Sequence, residues 1–142
     1  MDNPIKVKIE SNADLLLLRP LDVFVRQLVQ QIPAFADHPS EVDGIELAFN
    51  EAYTNVSRHA YKGRDTKGPI SIGILIHLNR IEICLEDYGI SFDPAQAKTP
   101  NLDEPREGGL GVWFIKKFMD QAIYNSSDGK NVLLMMKRFP KS

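Results

Sequence analysis

The sequence predicts an α+β two-layer sandwich, in which one mixed, mostly antiparallel sheet has helices on one face. Three observations lead to this fold class. Alternating apolar residues mark strands near the start, middle and end of the chain; two segments with helical spacing follow the first strand; and a shorter helix precedes the last pair of strands. Because the apolar face of such a sheet must be buried, we expect the helices to cover it. The 142 residues fit one domain, spanning 1–142.

The first strand and the first helix occupy the N-terminal third. Ile5, Val7 and Ile9 alternate with charged residues, the period of two expected for a half-buried strand. A helix is expected to open at Arg19-Pro20, with Pro20 suited to the first helical position, and to be ended by Pro33.

A second helix is expected from an N-cap at Ser40 to about Ala60. Its apolar residues recur at helical spacing and should face the sheet. They are Ile45, Phe49, Ala52 and Val56.

The remaining strands are predicted as hairpins. Residues 70–78 and 81–85 alternate around a tight connection at Asn79 and Arg80, and residues 122–126 and 132–139 form a final pair around a Ser-Asp-Gly-Lys turn. A short helix over 111–119 precedes that pair. Between the two hairpins, residues 91–107 contain three prolines and few large apolar residues, a composition typical of a functional loop or lid.

Composition excludes several classes of function. A formal net charge of −2 gives no general attraction to nucleic acid or to an anionic membrane. The apolar run Leu15–Leu18 is far too short to span a bilayer, and no signal peptide is recognisable. Cys84 is the only cysteine, which suits a reducing cytoplasm and is expected to be a structural thiol in a strand rather than a reactive one.

Glu51 and Asn55 stand one helical turn apart on the second helix. The Asn55 amide oxygen is a suitable ligand for Mg²⁺, which often takes its other ligands from phosphates and water. The Glu51 carboxylate could accept a proton from an attacking hydroxyl. The pair is equally compatible with a solvated glutamate and an asparagine bonded to nearby backbone. His59, one turn further, could contact phosphate, or could simply favour the negative end of the helix dipole.

Asp87-Tyr-Gly89 follows a predicted strand. A carboxylate at this point can accept a hydrogen bond from the exocyclic amine of adenine, and Gly89 allows the chain to approach the ring. The alternative is an ordinary turn, because Asp-X-Gly is a common turn sequence.

Gly108-Gly109-Leu110-Gly111 precedes the short helix. Glycines followed by a helix N-terminus favour bound phosphate, although a flexible hinge explains the same residues. Arg106, just before this segment, could reach a terminal phosphate or remain a solvated surface arginine.

Together these segments resemble the ATP-binding fold of the GHKL superfamily, which includes gyrase B, histidine kinases and MutL. Three boxes carry the resemblance: Glu51-x-x-x-Asn55, Asp87-x-Gly89 and Gly109-x-Gly111. Within the superfamily the chain is most similar to anti-sigma-factor serine/threonine kinases of RsbW type, over essentially its whole length. The more specific similarity lies in residues 51–61, 87–93 and 107–115.

The resemblance implies an ATP- and Mg²⁺-dependent protein kinase of a partner-switching module. It implies that Glu51 is the general base, that Asn55 binds Mg²⁺, that Asp87 reads adenine and that Gly109–Gly111 contact the phosphates. Residues 94–110 would form the ATP lid, with Arg106 near a phosphate.

The resemblance also implies the partners of such a kinase. Arg19 would contact a partner protein. These partners would be an anti-anti-sigma (STAS-type) antagonist, phosphorylated on serine, and a sigma factor or other regulator bound by a homodimer. The alternative is a non-catalytic regulator that binds nucleotide and sequesters its partner.

Overall fold

The fold is an α+β sandwich built on one five-stranded sheet, as predicted. The computed structural model describes residues 3–91 and 110–141, with side chains of the second segment described from residue 114 onward. The strands are β1 (Ile5–Asn12), β2 (Pro69–Ile76), β3 (Arg80–Asp87), β4 (Gln121–Ser127) and β5 (Lys130–Arg138). Their order across the sheet is β1-β2-β3-β5-β4. All four pairings between described strands are antiparallel, so the parallel component implied by a mixed sheet is not found among them.

The helical layer follows the predicted order. It contains α1 (Leu18–Gln30), α2 (Pro39–Asn55) and α3 (Leu110–Phe118), and α2 packs between the other two. Gly44 of α2 lies directly under Phe118 of α3, since a Cβ at position 44 would come within 2.5 Å of that ring. In the described parts of the chain, no helix is both long enough and apolar enough to cross a membrane.

The core lies between α2 and the inner face of the sheet. Alternate residues of β2 and β3 are fully buried there, which is the period of two read from the sequence. They meet the buried face of α2. The largest of these side chains are Ile70, Ile72, Ile74, Ile81, Ile83 and Leu85 from the strands, with Ile45, Phe49 and Tyr53 from the helix.

Two helix starts differ from the predictions. A 3₁₀ turn capped by the Asp14 carboxylate leads into α1, which therefore begins at Leu18, and Pro20 falls inside the first turn. The prediction of Ser40 as an N-cap is wrong, because α2 begins at Pro39 and His38 occupies the cap without a side-chain hydrogen bond. Proline suits the first helical turn, where a backbone N–H has no helical acceptor.

The second helix changes its winding at the predicted C-terminal end. α2 is α-helical to Asn55, and Val56–Ala60 then form a π-helical turn, called here the π turn. Its hydrogen bond joins the Tyr61 N–H to the Val56 carbonyl at 3.2 Å, five residues back. Single π turns within helices are frequent at functional sites.

The turn of the first hairpin begins earlier than predicted. β2 ends at Ile76 rather than at Leu78, because the His77 N–H donates to the Arg80 carbonyl at 2.9 Å and closes the turn there. Leu78 is left at the tip with 85% of its surface exposed.

Candidate functional site

A pocket opens between the C-terminal end of α2 and the inner face of the sheet. Its wall is mostly apolar, and the only strongly polar side chains among the described lining residues are Asn55 and Asp87. The lining residues are Ala52, Asn55, Val56, Ala60, Leu85, Asp87, Ile90, Tyr124 and Leu133. An apolar pocket with a few convergent polar groups is the usual form of a small-molecule site. Helix and strand-end residues that are 32 positions apart therefore meet in one cavity.

Glu51 and Asn55 lie on successive turns of α2, as their spacing requires. Partial burial raises the pKa of the Glu51 carboxyl above its usual range, while the positive charge of Arg58 opposes that rise. The Asn55 Nδ2 atom is buried and has no hydrogen-bond partner in the part of the chain that is described. Buried amide nitrogens normally have acceptors, so an orphaned one in a pocket wall fits a ligand that supplies an oxygen.

Asp87 ends β3 and is 5% exposed. Two donors reach the same oxygen of its carboxylate: the Gly89 N–H donates to Oδ1 at 2.9 Å, and Asn131 Nδ2 donates to Oδ1 at 2.8 Å. Antiparallel pairing places Asn131 of β5 directly opposite Asp87. The carboxylate is thus held in one orientation at the edge of the pocket.

The turn after Asp87 is fixed against the end of the second helix. The Tyr61 hydroxyl accepts from the Tyr88 N–H at 3.0 Å and donates to the Pro69 carbonyl at 2.6 Å. The Ile90 N–H donates to the Ala60 carbonyl at 2.8 Å. The π turn and the strand end therefore form one connected frame around the pocket.

Gly89 is required by a contact within the protein. A Cβ at position 89 would lie 2.1 Å from the Ala60 carbonyl oxygen, a distance that no side chain tolerates. The sequence predicted a close approach between this glycine and a base. The close approach observed in the structure is to the backbone of the π turn.

The other predicted site residues are distributed as follows. His59 lies in the π turn with an exposed side chain and is not among the residues that line the pocket. Arg19 is exposed in the first turn of α1. Leu110 and Gly111 form the start of α3. Arg106, Gly108, Gly109 and the expected lid at 94–110, apart from its last residue, lie outside the described residues.

Sequence reasoning missed three residues around Asp87. Asn131 donates to the Asp87 carboxylate, and the Tyr61 hydroxyl accepts from the backbone of the turn that follows it. The Ser126 hydroxyl donates to Asn131 Oδ1 at 2.7 Å. Asn131 follows a hairpin turn, and its alignment with Asp87 depends on the pairing of β3 with β5, which no local pattern reveals. Ser57 and Asn131, which are buried polar residues in the described part of the chain, are recognisable only once burial is known.

The described residues contain no group of three or more His, Cys, Asp or Glu side chains arranged to hold a metal ion. Asn55 is therefore the described residue whose chemistry best fits the Mg²⁺ predicted from the sequence. A single amide oxygen is compatible with that ion, because Mg²⁺ keeps several waters and often takes its other ligands from substrate phosphates.

A family model described as the histidine kinase-like ATPase domain matches residues 13–137. Two relatives named serine-protein kinase RsbW are similar to the chain. That of Bacillus pumilus (strain SAFR-032) is 32% identical over 103 residues, covering 66% of this chain and 64% of the relative. That of Staphylococcus aureus (strain bovine RF122 / ET3-1) is 33% identical over 109 residues, covering 71% of this chain and 67% of the relative. The chain thus spans about two thirds of the length of these relatives.

A solved structure shares the fold. The crystal structure of the RsbU and RsbW domains of Rv1364c from Mycobacterium tuberculosis superposes with a TM-score of 0.68 at 16% sequence identity. The superposition covers 97% of this chain and 33% of that one. The predicted GHKL-type fold and the resemblance to RsbW-type proteins are therefore confirmed.

Proposed function

The chain belongs to the histidine kinase-like ATPase domain family, and we propose that it is a protein serine/threonine kinase that transfers the γ-phosphoryl group of ATP to a partner protein. The observation that carries this proposal is the pocket shared by Asn55 and Asp87. Asn55 suits the phosphate and metal end of a nucleotide, and Asp87 suits its base. The names of the RsbW relatives support serine as the acceptor.

Adenine fits the end of the pocket at Asp87. An ionised carboxylate only accepts hydrogen bonds, and the exocyclic amine of adenine is a donor. The apolar side chains of Leu85, Ile90 and Leu133 line the same pocket and can cover the faces of a flat ring. We propose that Asp87 reads the base and that Gly89 shapes the turn that carries it.

The phosphates belong at the Asn55 end. Its orphaned amide nitrogen can donate to a phosphate oxygen, while its amide oxygen would hold Mg²⁺. When bound, Mg²⁺ neutralises phosphate charge that develops during transfer. We further propose that Arg106 and Gly108–Gly111, which lie in a lid at 94–110 and directly after it, contact the phosphates, and that His59 contacts phosphate from the π turn.

Glu51 is the proposed general base. The serine oxygen attacks the γ-phosphorus, the bond from that phosphorus to the bridging oxygen breaks, and ADP leaves with the electron pair. Glu51 accepts the proton of the serine hydroxyl. Its half-buried position raises the pKa of its carboxyl, which makes the ionised form a stronger proton acceptor.

The cellular role proposed from the family is an anti-sigma factor in a partner-switching module. An anti-anti-sigma antagonist of STAS type would be the phosphorylated protein, and a sigma factor or other regulator would be the sequestered one. We place this module in the cytoplasm, where ATP is available, and expect residues 1–142 to act as one ATP-binding unit. Arg19, exposed on α1, is a proposed partner contact.

We also propose a homodimer formed through the uncovered face of the sheet. Leu75 and Leu134 are only partly buried on that face, and Ile123 is 49% exposed there. Helices cover the opposite face, so these apolar side chains are available to a second copy of the chain.

Transfer of radiolabelled phosphate from ATP to a candidate STAS-type antagonist tests the kinase. We expect the wild-type chain to label a serine, and Glu51→Ala to reduce the rate by roughly two to four orders of magnitude while ATP affinity changes little. Glu41→Ala is the control, since Glu41 lies at the other end of the same helix.

A Glu51→Ala chain that labels serine at the wild-type rate would remove Glu51 from the mechanism. ATP binding without labelling of any candidate antagonist by the wild-type chain would favour the non-catalytic regulator instead.

A further inference from the structure

Asp87 belongs to a short chain of hydrogen bonds that begins on the last hairpin. The Ser126 hydroxyl of β4 donates to Asn131 Oδ1 at 2.7 Å. Asn131 Nδ2 then donates to Asp87 Oδ1 at 2.8 Å and to the Gly89 carbonyl at 3.0 Å. Asn131 is 2% exposed, so its amide has no access to bulk water as a substitute partner.

The chemistry of the partners determines which way the Asn131 amide points. The two atoms facing Nδ2 are a carboxylate oxygen and a backbone carbonyl oxygen, and both of these only accept hydrogen bonds. Reversing the amide would place Oδ1 against two acceptors and leave both unsatisfied, at a cost of one buried hydrogen bond or more. The Ser126 hydroxyl can donate or accept, so it satisfies the amide in the orientation that Asp87 and Gly89 select and there donates to Oδ1.

This arrangement occupies one oxygen of the Asp87 carboxylate and leaves the other. Within the described segments 3–91 and 110–141, the hydrogen bonds to this group come from Gly89 N–H and Asn131 Nδ2, and both reach Oδ1. Because Asp87 also lines the pocket, Oδ2 remains as an acceptor of fixed direction for a ligand. An acceptor of fixed direction is what distinguishes an amine from a carbonyl on a base.

We propose that Asn131, held in place by Ser126, is a positioning residue that makes the pocket selective for a purine with a 6-amino group over one with a 6-oxo group. The proposal rests on the proposed nucleotide-binding function and deepens it. Asn131 acts through Asp87 and touches no reacting atom. Without its donor, the carboxylate is free to turn its acceptors away from the base.

The test compares ATP with ITP, which carries a carbonyl at position 6, in competition with a fluorescent ATP analogue. We expect the wild-type chain to prefer ATP by roughly tenfold or more, since ITP would place a carbonyl oxygen against the Asp87 acceptor and leave both without a hydrogen bond. Asn131→Asp keeps the size of the side chain but replaces the donor with a second carboxyl group beside Asp87. Two carboxyl groups at this distance share a proton, so Asp87 is no longer a fully ionised acceptor, and the Gly89 carbonyl loses the donor that Asn131 provides.

We expect Asn131→Asp to reduce the ATP-to-ITP ratio at least fivefold. Asn125→Asp is the matched control, because it makes the same change at an exposed position on the neighbouring strand and should keep the wild-type ratio. The ratio is informative because a general loss of stability weakens the binding of both nucleotides together, whereas loss of the oriented acceptor weakens that of ATP selectively.

Ser126→Ala provides a second test at an exposed residue, where folding is not at risk. Removing its hydroxyl leaves Asn131 less firmly oriented, and we expect the ratio to fall about two- to fivefold, a partial form of the same effect. If circular dichroism shows that Asn131→Asp is unfolded, Ser126→Ala alone decides: a reduced ratio supports the proposal and a wild-type ratio overturns it. Wild-type ratios in folded chains of both variants would also overturn it.

The outcome for the wild-type chain separates this proposal from the proposed function. Equal affinity of the wild-type chain for ATP and ITP would remove the base-reading role of Asp87 itself. A clear preference for ATP that survives the Asn131 and Ser126 substitutions would leave that role intact and contradict only the positioning by Asn131.

Discussion

Asn55 illustrates how one side chain can be costly to the protein alone and useful to a complex. Its buried Nδ2 lacks a hydrogen-bond partner among the described residues, and an unsatisfied buried donor costs about 1–3 kcal/mol. The residue also ends α2, where asparagine is a weaker helix former than alanine. Packing does not explain its presence, whereas a phosphate oxygen and a metal ion in the pocket would.

Asn55→Ala should therefore separate stability from binding. We expect the free energy of unfolding without nucleotide to stay equal or rise by up to about 1 kcal/mol, because an orphaned donor is removed. We expect ATP affinity in the presence of Mg²⁺ to fall roughly tenfold or more, with a smaller change when the metal is chelated. Denaturant titration and fluorescent-nucleotide titration measure the two effects.

The neighbouring Thr54→Ala is the control, since Thr54 is on the same turn of α2 but is not among the residues that line the pocket. Wild-type affinity of Asn55→Ala in Mg²⁺ would contradict the role proposed for the amide, and a large loss of stability would mean that Asn55 has a structural partner.

At the scale of elements, the sequence predicts what depends on local pattern and misses what depends on contact between distant segments. The alternating isoleucines of β2 and β3 and the apolar stripe of α2 identify these elements, because one face of each must be buried. Spacing along α2 also predicts that Glu51 and Asn55 share one side. The helix starts were displaced by one or two residues, since caps respond to the direction from which the chain arrives.

The π turn and the pairing of Asn131 with Asp87 escape sequence reasoning for a different reason. Both depend on where β3 ends relative to another element: the Ala60 carbonyl receives the Ile90 N–H, and β5 pairs with β3 in a specific register. Sequence motifs therefore located the polar groups of the candidate site, while the frame that orients them became visible only in three dimensions.

Gly89→Ala tests that frame directly. The added methyl group would meet the Ala60 carbonyl oxygen at 2.1 Å. Because this atom belongs to the backbone, it cannot move aside as the end of a flexible side chain can. We expect a loss of about 1–3 kcal/mol in the free energy of unfolding and a loss of ATP affinity, because the turn after Asp87 must move. Thermal or denaturant unfolding and nucleotide titration report the two quantities.

Gly73→Ala is the matched control on β2. A Cβ at position 73 would meet only the Cys84 Cβ atom, at 4.0 Å, which is ordinary contact. Alanine also loses less conformational entropy than glycine on folding, so this variant should be equally stable or slightly more stable. If Gly89→Ala behaved like Gly73→Ala, the contact between the π turn and the strand end would not be rigid.

At the scale of the whole molecule, the two faces of the sheet differ in what covers them. The inner face is buried under three helices and borders the pocket. The outer face carries Leu75, Leu134 and Ile123 together with charged residues, which include Lys8 and Glu82. Because side chains alternate along β5, Leu133 reaches the pocket whereas Leu134 reaches the outer face. Dimerisation and nucleotide binding should therefore be separable by mutation.

Leu134→Lys should convert the proposed homodimer into monomers that still bind ATP. A charge at the centre of an apolar interface is left without water or a partner, and we expect the dimer dissociation constant to rise roughly 30-fold or more. Leu78→Lys introduces the same charge at the exposed tip of the first hairpin and should leave the dimer intact. Sedimentation equilibrium measures association, and titration with a fluorescent ATP analogue confirms that the pocket survives. A wild-type chain that is monomeric at high concentration, or a Leu134→Lys chain that dimerises as tightly as Leu78→Lys, would remove the outer sheet face as the dimer surface.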